Sequence, residues 1–320
     1  MEILKLKPVC KDYLWGGRKL VQFYNKESDL DKVAETWELS NHKDGSSIII
    51  NAPYENVSFQ NYLNNKGKEI WGTHCEKYDN FPILIKFIDA KQALSIQVHP
   101  DDEYALKNEG EFGKNEFWYV LEAEPNAFLY YGVNQEMTKE EYRQHIEDDT
   151  ICDYLKKVEV KKGDCFYIQA GTIHAIGAGI VIAEIQQCSN STYRVYDFKR
   201  LGVDGKPREL HVDKAVDVSK LIPSGKNGNA DGELIHNDGY DELLLTKNDY
   251  FICTKYDVLS SMKKEVTLES FQALTILDGE GKIIVDDKEM YIKKGDSLFI
   301  PAQEGGYQIE GSVSFIQTRL

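Results

Sequence analysis

The chain has 320 residues, 42% hydrophobic and 28% charged, enough to close a core without the disulfides or metal staples that small scaffolds need. Lys and Arg number 38 against 53 Asp and Glu, a net charge of −15 that repels nucleic acid and anionic membrane surfaces. No apolar run reaches the about eighteen residues of a membrane helix, and an anionic substrate would have to be captured by a local basic cluster.

In chain order, residues 59–64 have helical spacing, and 81–88 open a series of short β-branched or aromatic runs bounded by Gly, Asp, Asn and Pro. In 94–99 polar and apolar residues alternate, so Leu94, Ile96 and Val98 share one face of a strand while Ser95, Gln97 and His99 share the other. Pro100-Asp101-Asp102 stops that strand, and the acidic run through Glu103 reads as a solvated turn. Strands follow at 117–121 and 127–131. A helix is expected over 138–156, acidic early and lysine-bearing late as the helix dipole prefers. Strands at 164–169 and 180–186 and a short helix at 210–221 complete this part. The turn-rich stretch 223–232 reads as a linker, dividing the chain into 1–232 and 233–320, and the second part has strands at 272–277, 282–285 and 297–300. The reading is mainly β, with a few accessory helices.

One segment occurs twice. Lys161-Lys162-Gly163-Asp164 and Lys293-Lys294-Gly295-Asp296 each lead into an apolar strand ending in Ile, with Ala two positions on. This hairpin grammar resembles the second conserved motif of cupins, small jelly-roll barrels that commonly hold a metal in the barrel mouth. The resemblance implies two cupin-type jelly-roll barrels, a bicupin. After the first copy comes His174, whereas the same count from the second copy reaches Gly306, so 1–232 is expected to be the metal-binding catalytic domain and 233–320 a cupin-like domain without metal ligands.

Glu116 opens the 117–121 strand seventeen residues after His99, and His174 lies on the corner after the first hairpin. Gln97, His99, Glu116 and His174 occupy expected cupin ligand positions. A set of nitrogen and oxygen donors without thiolate suits Zn²⁺, with Fe²⁺, Mn²⁺ and Co²⁺ as competitors. His42, His74, His145, His211 and His236 read as surface or satisfied core histidines.

The segments 94–105, 113–120, 171–175 and Tyr193-Arg194 closely resemble the signature segments of type I mannose-6-phosphate isomerases, the shorter Bacillus-like branch in particular. Segments 14–17, 34–40, 81–90 and 208–215 support this, in the family's order along nearly the whole chain. The resemblance implies a zinc enzyme, one ion per chain on Gln97, His99, Glu116 and His174, interconverting mannose 6-phosphate and fructose 6-phosphate through a cis-enediol(ate). It marks Arg194 as the active-site arginine and Ser95, Lys114, Glu184 and Arg200 as pocket residues. Arg194 is then catalytic, stabilising with the metal the negative charge on O1 and O2; Lys114, Arg194 and Arg200 are the basic cluster for the phosphate, with Ser95 beside them, and the base is either Glu184 or Lys114. Three departures stand out. The interval from Glu116 to His174 is 58 residues, without room for the helical insertion of longer members. Ile176 stands where they often have Tyr, and Arg200 where a lysine is expected.

An Fe²⁺ cupin dioxygenase, with an apolar or aromatic pocket, and a catalytically silent sugar-phosphate-binding bicupin are the competing readings. Cys10, Cys75, Cys152, Cys165, Cys188 and Cys253 are scattered with no CxxC pair, and residues 1–5 lack the start of a secretory signal, which points to the cytoplasm. The expected partner is a small-molecule sugar phosphate, with no nucleic acid and no membrane, in a monomer or homodimer.

Overall fold

The computed structural model describes residues 1–320 apart from Val203, Asp204, Ser224, Lys226, Asn227 and Asp287. Three of these, Ser224, Lys226 and Asn227, belong to the expected linker, which therefore lies partly outside the described residues.

The chain is mainly β, and its strand pairs are antiparallel. A six-stranded sheet runs in the order Cys165–Ile168, Glu116–Ala123, Ile180–Gln187, Ile83–Ala90, Glu35–Leu39, Val9–Lys11. A five-stranded sheet runs Leu155–Glu159, Phe128–Val133, His174–Ile176, Ile96–Val98, Tyr193–Tyr196. Apolar side chains of both, among them Trp118, Val120, Ile180 and Ile182 from the first and Leu129, Tyr131 and Ile176 from the second, form one buried cluster. This is the two-layer packing of a cupin-type sandwich.

A ten-stranded sheet holds the C-terminal strands, dominated by Gln272–Val285 paired along its length with Gly305–Arg319. It also takes in the first strand of the chain, Leu4–Lys7, which pairs with Ser297–Ile300 (Leu4 opposite Phe299) and with Ile48–Ile49. The two strands expected at 272–277 and 282–285 are one. Gly281 lets the backbones approach, since a Cβ there would stand 2.3 Å from the Glu310 carbonyl oxygen.

The repeated turn has one geometry in both copies. The Asp164 carboxylate accepts from Lys161 N at 2.9 Å and the Asp296 carboxylate from Lys293 N at 2.8 Å, and the intervening glycines are left-handed, with φ of 95° at Gly163 and 88° at Gly295.

Two expectations are corrected. The helix expected over 138–156 is Lys139–Glu147, started by a Thr138/Glu141 capping box and stopped where Asp149 turns left-handed (φ 59°). A 3₁₀ turn and the strand Leu155–Glu159 follow, because this stretch pairs with Phe128–Val133, Val158 opposite Leu129, while Leu155 shares a core with Tyr142 and Ile146 of the helix. The acidic run at Asp101 is not a mere solvated turn. Asp101 caps the helix Asp102–Asn108 through Tyr104 N at 2.9 Å, and Asp102 accepts from Gly113 N and Gln187 Nε2 at 2.8 and 2.9 Å.

Candidate metal centre

Four strands aim side chains into the gap between the sheets. In the five-stranded sheet Gln97 lies in register between His174 on one neighbour and Arg194 on the other. His99, two positions on from Gln97, extends the same strand. Glu116 faces them from the start of its strand in the opposite sheet, in register with Gln186. Glu116 Oε1 is 3.2 Å from His99 Nε2, and Oε2 is 3.8 Å from His174 Nε2. One donor atom from each of the three lies within 4.8 Å of the others, all three residues being buried. The amide end of Gln97 is 3.4 Å from His174 Nε2, and turning it over presents Oε1 at that point.

The donor set fits a divalent cation. His99 Nδ1 donates to Ser191 O at 3.0 Å and His174 Nδ1 to Thr172 O at 2.8 Å, so each imidazole is left with an unprotonated Nε2 turned towards Glu116. Burial, reinforced by the Lys114 charge, pushes His99 down to about 3, and burial also depresses His174. Burial would raise the Glu116 carboxyl, but the Lys114 ammonium and His99 outweigh it and hold the group well below the usual carboxylate range. Two neutral imidazoles, a carboxylate and an amide are the protonation states a borderline metal ion takes.

Beside this cluster is a cavity of about 290 Å³ lined by Ser95, Gln97, Lys114, Glu184 and Arg194, together with Tyr13, Trp15, Glu35, Lys86, Asn190, Thr192 and Arg208. Lys114 Nζ stands 2.7 Å from Glu116 Oε1 and 3.4 Å from His99 Nε2. The Glu184 carboxylate accepts from Trp118 Nε1 at 2.9 Å, and the same indole reaches Glu116 at 3.1 Å. Burial, with the Glu116 charge behind it, pushes Glu184 up to about 7 against the pull of Lys86 and Lys114.

Arg194 Nη1 donates to Glu209 O at 2.7 Å, but its buried Nε has no hydrogen-bond partner, and burial together with the Arg208 charge lowers its basicity. Arg200 is the one expected pocket residue that does not line the cavity. Its guanidinium donates to Ala93 O and pairs with Asp197. Arg208 stands in the wall in its place, held by Asp197 through Nε and Nη2 at 2.7 and 2.6 Å.

Sequence reading passed over Lys86, Glu35 and Arg208. The signal for Lys86 was present, since it is a lone lysine within the fully buried strand Ile83–Ala90. Such a charge has to meet partners, and its Nζ is 3.3 Å from Glu184 and 3.6 Å from Glu35. Glu35 also accepts from Trp37 Nε1 at 2.8 Å. Arg208, fourteen residues beyond Arg194, carries no such local mark.

Fold and site together define a cupin-type enzyme with a candidate nitrogen and oxygen metal centre between two antiparallel sheets. Residues 3–146 match the type I phosphomannose isomerase catalytic domain, and residues 241–320 the mannose-6-phosphate isomerase cupin domain. The chain is 37% identical to a mannose-6-phosphate isomerase of Streptococcus mutans, over 98% of this chain and 97% of that one. It is 36% identical to the mannose-6-phosphate isomerase ManA of Bacillus subtilis, over 100% and 99%. The crystal structure of the mannose 6-phosphate isomerase from Bacillus subtilis superposes with a TM-score of 0.92 at 33% identity, covering all of both chains. The chain belongs to the type I mannose-6-phosphate isomerase family.

Proposed function

We propose that the protein interconverts mannose 6-phosphate and fructose 6-phosphate by moving a proton between C1 and C2 through a cis-enediolate, with one Zn²⁺ per chain held by Gln97, His99, Glu116 and His174. When bound, the ion supplies a Lewis acid for the sugar oxygens. The observation that carries the reading is the convergence of those donors, both imidazole tautomers fixed by backbone carbonyls, on the edge of a cavity lined by Lys86, Lys114, Arg194 and Arg208. Four cationic side chains against the carboxyls of Glu35 and Glu184, with Ile88 and Leu94 among the few apolar residues, suit an anionic sugar better than the apolar substrate of a cupin dioxygenase.

Glu184 is the base. Its carboxyl is poised near neutrality, and it lines the cavity with its second oxygen beside Lys86, whose charge favours the ionised form. Lys114 opposes negative charge developing on O1 and O2 and keeps Glu116 ionised. Arg194 brings a guanidinium that no carboxylate approaches within 4.0 Å among the described residues, and Arg208 a second one oriented by Asp197. Together they form the cationic end for the phosphate, Arg194 also opposing the charge that develops on O1 and O2, and Ser95 lines the same cavity. Arg200 serves by neutralising Asp197 rather than by touching substrate.

Residues 1–232 carry this centre, and 233–320 act as a cupin-like covering domain without metal. The reading includes action in the cytoplasm, as monomer or homodimer, without nucleic acid; no helix among the described residues is long and apolar enough to cross a membrane. Formation of fructose 6-phosphate from mannose 6-phosphate, followed by a coupled assay before and after chelation, tests the whole. Activity lost to chelator and restored by Zn²⁺ is expected, and full activity in metal-free protein would refute it.

A further inference from the structure

Gln186 has no part in the chemistry above, yet its side chain is wholly buried in the strand that carries Glu184, in register with Glu116. Its Nε2 donates to two backbone carbonyls just ahead in the chain, those of Gln187 at 2.8 Å and Ser189 at 2.6 Å. Those contacts fix which end of the amide is nitrogen, and they leave Oε1 buried without a hydrogen-bond partner. A buried acceptor left unpaired is costly, so the donor side of the amide must do something the fold retains.

What it holds is residues 187–192. Ser191 in this segment supplies the carbonyl that accepts from His99 Nδ1, and Asn190 and Thr192 form part of the cavity wall. Cys188 is anchored through N to Pro82 O at 2.8 Å and through Sγ to Asn41 at 3.2 Å, and the tip is tied from outside by Asn190 Nδ2 to Asp44 at 3.0 Å and Ser191 Oγ to Glu111 at 3.5 Å, so from within the loop Gln186 is what braces it. We propose that Gln186 is a positioning residue that acts through residues 187–192 to fix the tautomer and direction of His99 and to hold one wall of the substrate cavity. This rests on the metal reading above.

The test replaces Gln186 with Met, similar in length but without donors. Metal retention is read as release of Zn²⁺ to a chromophoric chelator, beside kcat and KM at saturating Zn²⁺. The control is Gln317→Met, which removes a buried amide donating at 2.8 Å to Gln272 and 3.2 Å to Tyr307 in the C-terminal sheet, away from the centre. Gln186→Met is expected to bind Zn²⁺ about 10- to 100-fold more weakly, the usual cost of losing support behind a ligand. At saturating Zn²⁺ it should recover kcat but keep a raised KM, while Gln317→Met retains the metal as the unsubstituted chain does. If Gln186→Met does not fold, Gln186→Asn, which shortens the amide by one methylene, is expected to show the same two changes. Unchanged Zn²⁺ retention in a folded Gln186 variant overturns the inference alone. An unsubstituted chain that takes up no Zn²⁺ overturns the metal reading and this inference with it.

Discussion

Lys86 and Glu184 face each other in register on adjacent strands, Nζ to Oε1 3.3 Å, with both side chains almost wholly buried. The same row continues to Trp37 beyond Lys86 and to Trp118 beyond Glu184, so the pair is walled by two indoles. The lysine favours the carboxylate form, and burial favours the acid.

Lys86→Met should therefore raise the pKa of Glu184 further. For a base that works ionised, activity rises with pH through that pKa, so the acid limb of the kcat/KM profile should move to higher pH, by ~1–3 units for loss of one close counter-charge. A profile that does not move would remove Glu184 from the role of base.

Glu116→Gln and His174→Ala should each lose bound metal and activity while far-UV circular dichroism keeps its β signature. The core between the sheets is apolar and extensive, and it does not lean on the ion. Gross unfolding of either variant would make the centre structural.

Arg194→Ala should keep the metal and lose on the order of 10²-fold in kcat/KM, about the worth of one well-placed charged donor. Arg208→Ala should act mainly on KM for the phosphorylated sugar. Steady-state kinetics of the two variants with matched metal content separates them.

Lys26 and Glu38 form a buried ion pair at 2.7 Å, completed by Ser297 Oγ and Thr36 Oγ1 as donors and the Gly295 carbonyl as acceptor. Lys26→Met strands the Glu38 charge and should cost ~3–5 kcal/mol in denaturant unfolding. Adding Glu38→Leu should recover much of that loss, since the stranded charge goes with it.

Much of the site was legible because its residues sit in strands whose alternation shows in the sequence. Gln97 and His99 lie two apart in 94–99, and the repeated Lys-Lys-Gly-Asp turn locates the corner before His174. Lys86, Glu35 and Arg208 were harder. Glu35 and Trp37 lie in a strand, Glu35–Leu39, whose five residues are all buried and show no alternation. Arg208 reaches the cavity through pairing with Asp197, a contact between loop residues that no periodicity announces. The overlong helix at 138–156 arose because the late lysines that suited a helix dipole, Lys156 and Lys157, belong to an edge strand instead.

The pairing of Leu4 with Phe299 joins positions 295 residues apart. On the ribosome Leu4–Lys7 emerges long before Ser297–Ile300, and the edge it offers to that strand stays unfilled until those residues are made. The ten-stranded sheet should consequently be late to lock, and loss of Ser297–Ile300 would leave Leu4–Lys7 paired on one side only, with Ile48–Ile49.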